Sequence, residues 1–337
     1  MHVALIGTGA IAHLHARAYR NIGYTLVACT SRTEDTGRRF AAQYGAEFVG
    51  TAEAACRRED VDFVDVCTLP NVRLEPVRLC ARYRKHVQVQ KPIATDIGTA
   101  RQMIQLAADA GVLLNVVSQH RFDDSFMFLA RALQAGRLGR LFQCDAYVKW
   151  HRTDAYYARP GKGTWATEGG GALITQAVHQ VDLLRWLAGP VREVSAMWQI
   201  GAAHQIESED VVNALLRYAN GATGVIQAST ACAPGFPERV ELHGTRGTAI
   251  VTGDRLTTWD VTDDTGEAPP LAREVASGAS DPMAISLEPF ERQFHDFGDA
   301  IASGRPPLVS GEAGLQALEL VEAIYAACRS GATVRLA

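Results

Sequence analysis

The tightest constraint on this chain is its first dozen residues. A short apolar run, His2–Ile6, passes directly into Gly7-Thr8-Gly9-Ala10-Ile11-Ala12, and helical spacing continues over Ile11–Tyr19. A buried strand that ends in G-x-G-x-x-A and opens a helix is the start of a dinucleotide-binding β-α-β unit. Gly7 permits the tight turn, Gly9 lets the backbone approach a pyrophosphate, and Ala12 lets helix and strand pack closely. Thr8, Ala10 and Ile11 complete the turn, where the unpaired N–H groups of the helix start face an anion. A glycine-rich turn alone is common, so the weight comes from the elements behind it.

Those elements alternate between strand and helix. The strand Tyr24–Thr30 ends in Ser31-Arg32, with no acidic residue before Glu34 to take a ribose 2′-hydroxyl. A small hydroxyl beside a guanidinium suits a 2′-phosphate, so NADP is favoured over NAD; the competing reading has Arg32 capping a solvated loop. Helix Glu34–Tyr44, strand Ala46–Val49, helix Thr51–Arg57 and strand Phe63–Cys67 come next. The last runs into Thr68-Leu69-Pro70-Asn71, placed along the cofactor, with Asn71 capping a helix over Val72–Tyr83. Strand Val87–Gln90, helix Ile97–Ala110 and strand Val112–Ser118 finish the pattern. Apolar strands alternating with helices predict a parallel sheet covered on both faces, ending near Ser118. Gln90-Lys91-Pro92 puts an ammonium at the carboxyl end of a strand, where open parallel sheets bind ligands.

A length of 337 residues calls for two domains at roughly 150 residues each, which sets 1–118 against 119–337. With 47% apolar and 21% charged residues and a net charge of −4, the chain has a soluble globular composition and no electrostatic case for nucleic acid or anionic membrane. Seven scattered cysteines without a C-x-x-C pair indicate neither a disulfide framework nor a zinc site. His13 and His15 stand at i, i+2 and do not share a helix face, so no metal is expected. The absence of a leader or a long apolar run gives a cytoplasmic expectation.

Beyond Ser118 the pattern changes. Gln119-His120-Arg121-Phe122 leads into a helix, Asp123–Ala135. Over Gly139–Lys149, Phe142, Cys144, Ala146 and Val148 alternate with Gln143, Asp145, Tyr147 and Lys149, as in a sheet with one covered face. Tyr147 and Lys149 face a substrate, water or a second subunit. The irregular stretch Trp150–Thr167 holds Arg152, Tyr156, Tyr157, Arg159 and Trp165, a mixture suited to a polar ring-shaped ligand or to packing under a loop. Gly169-Gly170-Gly171 opens a helix running through Leu187, on which Thr175, His179 and Asp182 share a face, with Asp182 able to orient the imidazole. Strands Val191–Gln199, Asp210–Tyr218 and Ala222–Thr230 come after it, the last two joined by the Asn220-Gly221 hairpin. A second hairpin joins Val240–His243 to Thr248–Val251, Asp260–Pro282 is an expected mobile loop, and helices Glu288–Ser303 and Gly311–Ser330 precede an edge strand over Thr333–Leu336.

The N-terminal fingerprint, Pro70-Asn71, Gln90-Lys91-Pro92 and the glycine-rich helix with His179 together resemble the glucose–fructose oxidoreductase/inositol dehydrogenase family, written Gfo/Idh/MocA. The resemblance implies an α/β Rossmann domain and a C-terminal α+β domain built on a large, mostly antiparallel open sheet that often pairs subunits into a homodimer or homotetramer. It also implies NAD(P)-dependent oxidation or reduction of a sugar-like substrate, with Lys91 and His179 matching the catalytic lysine and histidine. Gln90, Lys91, Gln119 and Trp165 join the cofactor set; Lys91, Arg121, Tyr147, Lys149, Tyr156, Thr175, Gln176 and His179 form the substrate set. Two departures stand out: Gln90 replaces the usual glutamate, and Thr175 replaces an aspartate frequent four residues before the histidine. Thr175-Gln176 resembles the Asn-Gln of members acting on nucleotide-sugar uronates.

The expected chemistry is reversible hydride transfer between the nicotinamide and a secondary carbinol carbon. His179 is the general acid/base, and Lys91 stabilises alkoxide charge, with the two roles exchangeable. The rivals are a dehydrogenase of a cyclic dihydrodiol or imine and a cofactor-binding sensor without chemistry.

Overall fold

The structure is a computed structural model describing residues 1–270, 279 and 286–336. In chain order the first elements are β1 (His2–Ile6), α1 (Ala10–Asn21), β2 (Thr25–Thr30), α2 (Glu34–Tyr44), β3 (Glu47–Phe48) and α3 (Ala52–Arg57). They continue with β4 (Phe63–Val66), α4 (Leu74–Arg82), β5 (His86–Val89), α5 (Ile97–Ala110), β6 (Leu114–Val116) and α6 (Asp124–Gln134). Next come β7 (Leu141–Lys149), the short helices α7 (Asp154–Tyr157) and α8 (Trp165–Glu168), α9 (Val178–Ala188), β8 (Val191–Ile200), β9 (Glu209–Tyr218) and β10 (Thr223–Ser229). The chain closes with β11 (Arg239–Gly244), β12 (Gly247–Thr252), β13 (Arg255–Val261), α10 (Glu288–Ser303), α11 (Gly311–Ser330) and β14 (Val334–Arg335).

These elements form two compact units, Met1–Gln119 with Leu287–Leu315 and His120–Ser286 with Gln316–Ala337. A linear division at residue 118 does not capture the return of Leu287–Leu315 to the first unit. There α10 packs on α1: Phe294 stacks on Tyr19 at 4.6 Å between centroids, and Phe297 meets Phe63 edge-on at 5.1 Å.

The first unit is a six-stranded sheet in the order β3-β2-β1-β4-β5-β6, all parallel. Val3, Ala4, Leu5, Phe63, Val64, Val66, Val87 and Val89 are buried, as strands covered on both faces require. The strand order reverses between β1 and β4, and the crevice outside their carboxyl ends is the binding position of a doubly wound sheet. One local expectation fails here. Asn71 caps no helix; Pro70–Val72 is a single 3₁₀ turn, and α4 starts after Arg73 without a side-chain cap.

The second unit holds an eight-stranded sheet, β13-β12-β11-β7-β10-β9-β8-β14, antiparallel except for the β7–β10 pair. Gly221 turns the β9–β10 hairpin at φ +88°, and β14 adds to the edge of β8. The strand β13 was not expected from the sequence. Helix α9 packs on β7 and β11, over the side carrying the buried residues Cys144, Ala146, Val148, Val240 and Leu242. The opposite face carries Met197 (76% exposed) and Leu215 (65%). The alternation expected for β7 is broken at two places: Phe142 is exposed, and Asp145 is buried because its carboxylate accepts from Val225 N at 2.8 Å and Gln143 Nε2 at 2.7 Å. Of the expected loop over 260–282, residues 271–278 and 280–282 lie outside the described residues; its first two residues belong to β13, and Asp264 pairs with Arg137. No helix among the described residues is long and apolar enough to cross a membrane.

Candidate functional site

In the first unit, β1 delivers Gly7 to the sheet edge at φ +95°, where an added Cβ would lie 3.1 Å from the Thr68 backbone at the end of β4. A side chain at position 7 would therefore be both strained and crowded. Gly9 is the N-cap of α1, makes no side-chain cap and has open space where its Cβ would stand. The first turn of α1 carries no acidic residue. Thr8 Oγ1 and Thr68 Oγ1 are buried and lack a hydrogen-bond partner among the described residues. Orphaned hydroxyls and uncapped helix N–H groups around an open glycine fit a pyrophosphate. Ser31, at the end of β2, bonds Thr36 Oγ1 at 3.0 Å, and Arg32 beside it is exposed.

Lys91 leaves the sheet just after β5. Its backbone N–H donates to Gln90 Oε1 at 3.2 Å. On the other side Arg73, 3% exposed, donates through one guanidinium nitrogen to the carbonyls of Gln90 and Pro92, and through the rest of its fork to Thr68 O at 2.7 and 3.1 Å. One buried cation thus ties the end of β4 to the backbone on both sides of Lys91. Burial lowers the Arg73 pKa to about 9, opposed by Cys67 and Asp65, and the guanidinium stays charged at neutral pH. The sequence offered no spacing rule that finds Arg73. Of the other expected cofactor residues, Leu69 and Asn71 are exposed, Pro70 and Gln119 are buried, and Gln90 is 5% exposed.

In the second unit the glycine run reaches the sheet. An added Cβ at Gly171 would lie 1.9 Å from Glu209 O, and one at Gly170 would lie 2.2 Å from Tyr325 Oη. Close approach puts the Glu209 carboxylate against the start of the helix: it accepts from Gly171 N at 2.7 Å, Leu173 N at 2.8 Å and Tyr325 Oη at 2.9 Å. Burial nevertheless pushes this carboxyl up to about 7, outweighing the donors. The first turn, Leu173–Ala177, is a π-helix rather than the regular α-helix expected, and the Thr175 hydroxyl bonds back to Gly171 O at 2.7 Å. Face-sharing inferred from a 3.6-residue period therefore does not carry from Thr175 to His179.

His179 is 7% exposed and lies edge-on to His120 at 4.9 Å between ring centroids. The expected orienting role of Asp182 is not what the geometry gives. Both its oxygens accept from Arg121, at 2.8 and 2.5 Å, and the guanidinium lies over Trp186 at 5.2 Å. Arg121, expected at the substrate, is thereby held in a buried bidentate pair. His120, which the sequence did not single out, is the imidazole's neighbour and pairs with Asp123 at 2.8 Å.

Three substrate-set residues do come together. Gln176 Nε2 donates to Tyr156 Oη at 2.9 Å and reaches Thr175 Oγ1 at 3.4 Å, while Gln176 Oε1 accepts from buried Arg152 at 2.9 Å. Arg159 covers the Tyr156 ring at 4.3 Å and Lys162 at 5.3 Å. The short helices α7 and α8, capped by Thr153 and Thr164, give this stretch the order its irregular sequence conceals. Tyr147 and Lys149 are elsewhere. They alternate with the buried residues under α9, and Tyr147 is covered by Arg239 at 4.7 Å on the open face of the sheet. Trp165, assigned to the cofactor, lies among Trp198 at 5.6 Å and Tyr325 at 5.1 Å, with Nε1 bonded to Glu207 O.

Residues 1–118 match the family model described as an oxidoreductase family with an NAD-binding Rossmann fold, and residues 126–250 match that of the GFO/IDH/MocA C-terminal domain. D-apiose dehydrogenase from Paraburkholderia graminis is 31% identical over 99% of this chain and 89% of its own. The chain belongs to the Gfo/Idh/MocA family. It is an NAD(P)-dependent oxidoreductase of that family, and the Rossmann unit with a mostly antiparallel second sheet is the family's architecture. Myo-inositol 2-dehydrogenase from Thermotoga maritima is 28% identical over 95% of this chain and 94% of its own. The solved WlbA dehydrogenase from Bordetella pertussis, in complex with NADH and UDP-GlcNAcA, superimposes with a TM-score of 0.87 at 27% identity, covering 100% of this chain and 98% of that one.

Proposed function

We propose that this Gfo/Idh/MocA member interconverts a secondary hydroxyl and a carbonyl on a polyhydroxylated, sugar-like substrate, with Lys91 and His179 handling the proton. The observation that carries it is the rigid seating of Lys91. A lysine whose flanking carbonyls are clamped by a buried arginine, at the mouth of a dinucleotide sheet, has its ammonium projected from fixed backbone. Such fixing has a purpose where charge develops during reaction.

Gly7, Thr8, Gly9, Ala10, Ile11 and Thr68 would hold the cofactor's pyrophosphate, and the bound nicotinamide supplies the hydride donor or acceptor. His179 takes the hydroxyl proton as the carbinol is oxidised and returns it on reduction; Lys91 holds the oxygen and stabilises its negative charge. Tyr156, Thr175 and Gln176 bind substrate hydroxyls. Named substrates of relatives, myo-inositol, D-apiose and UDP-GlcNAcA, support this class because each presents several hydroxyls. NADP is the proposed partner of Ser31 and Arg32, since the exposed guanidinium stands where no carboxylate precedes Glu34. Pairing of subunits through the open sheet face, supported by exposed Met197 and Leu215, and a cytoplasmic setting belong to the same proposal.

The test is turnover of a panel of polyols, aldoses and uronate nucleotide sugars with NAD⁺ and NADP⁺. Lys91→Met and His179→Asn each lower kcat on the order of 10²-fold or more while cofactor binding persists. Wild-type rates in both variants would overturn the assignment. Arg32→Ala abolishes a wild-type preference for NADPH over NADH in a fluorescence titration; an unpreferring wild type removes the 2′-phosphate role.

A further inference from the structure

Beneath Lys91 runs a buried polar thread that the hydride chemistry does not use. Asn115 Nδ2 donates to Gln88 Oε1 at 2.9 Å, Gln88 Nε2 to Tyr19 Oη at 2.8 Å, and Tyr19 Oη to Asp65 Oδ2 at 2.7 Å. The same Asp65 oxygen lies 2.6 Å from His15 Nδ1, and His15 Nε2 lies 2.7 Å from Gln90 Nε2. Asn115, Gln88, Asp65 and His15 have no solvent exposure at all, so every proton in the thread must have an acceptor.

The end of the thread fixes the rest. The Lys91 backbone N–H needs an acceptor and finds Gln90 Oε1, so the amide nitrogen faces His15. An amide nitrogen only donates, which makes His15 Nε2 an acceptor and leaves its proton on Nδ1, toward Asp65. Charge balance agrees. Asp65 and Arg73 bring one negative and one positive charge into this interior, and a neutral imidazole adds none. Phe290 and Phe294 from α10 pack on the ring at 5.4 and 4.8 Å, and Cys67 Sγ lies 3.4 Å from Nδ1. Tyr19 lies edge-on to the ring at 6.3 Å, so the titratable groups facing the imidazole include Tyr19, Asp65 and Cys67.

We propose that Asp65 and His15 are positioning residues for Lys91: Asp65 holds His15 as the Nδ1–H tautomer, which orients the Gln90 amide and so the backbone from which Lys91 projects. An imidazolium at position 15 would present a second N–H to Gln90, turn the amide over and set its NH₂ against the Lys91 N–H. The proposal rests on the role given above to Lys91.

The experiment uses the full chain labelled with ¹⁵N-histidine, the His15 signal being identified by its loss in His15→Gln. Wild type shows a protonated Nδ1 and an unprotonated Nε2 at neutral pH. Gln90→Glu, nearly isosteric, replaces the donor facing Nε2 with an acceptor, so Nε2 becomes protonated and the pH profile of kcat moves. Asp65→Asn removes the charge that favours Nδ1–H; the tautomer preference weakens and kcat falls on the order of tenfold, with cofactor affinity retained. A wild-type His15 protonated at Nε2 overturns the proposal, as does a shifted tautomer with an unchanged kcat profile. Because the spectra need no turnover, the expected tautomer in a chain that oxidises no polyol would count against the substrate reading and not against the relay.

Discussion

Replacing Glu209 by glutamine tests the energetics of the helix that carries Thr175, Gln176 and His179. The wild-type carboxyl ordinarily titrates at 4.5 and is pushed to about 7 by burial. Folding therefore favours its protonated form, which sets the sign. The contribution is fully present below the unfolded value of 4.5 and is lost as pH rises through 7. A shift of this size corresponds to about 3 kcal/mol. Glutamine does not titrate, so the stability of wild type minus that of Glu209→Gln falls by about 3 kcal/mol between roughly pH 5 and pH 8. In calorimetry this is a relative change in the melting temperature of the second unit of about 6–12 °C. A flat difference would mean that the carboxyl keeps its ordinary value in the fold. A difference that rises with pH would mean that Gly171 N, Leu173 N and Tyr325 Oη outweigh burial, and the reasoning would be refuted.

Other substitutions probe separate features. Gly171→Ala drives a methyl into the Glu209 carbonyl and should cost about 1–3 kcal/mol, read by urea unfolding; an unchanged midpoint would show that the glycine run does not need its close approach. Arg73→Met leaves the carbonyls of Thr68, Gln90 and Pro92 without their buried donor, at about 1–3 kcal/mol for each acceptor left dry, and lowers turnover with stability; a fully stable and active variant would show that Lys91 is seated without the clamp. Met197→Arg with Leu215→Arg should reduce the mass in light scattering to that of one chain, whereas an unaltered oligomer would place the subunit contact elsewhere.

Much of the first unit was legible because its signals are local. A strand running into Gly7-Thr8-Gly9, apolar strands alternating with helices, and Lys91 two residues beyond β5 depend on residues that are neighbours in sequence. So do the hairpins at Asn220-Gly221 and Gly244–Gly247, where turn chemistry and pleat period set the register. The pairings that hold the candidate site are not local. Arg73 reaches Pro92 19 residues on, Asp65 meets His15 50 residues away, Glu209 caps Gly171 from 38 residues on, and Arg121 takes Asp182 from 61 residues away. Spacing placed Asp182 beside His179 on a helix face, and a guanidinium from another element claimed it. Periodicity placed Phe142 inside and Asp145 outside, and a backbone donor on β10 reversed the second. By itself, the sequence determined which segments become strands and helices and where the dinucleotide turn lies, because backbone preference and apolar period act over a few residues. Only the tertiary structure decided which carboxylate meets which donor, because a buried charge takes its partner from whatever the packed chain brings within hydrogen-bond reach.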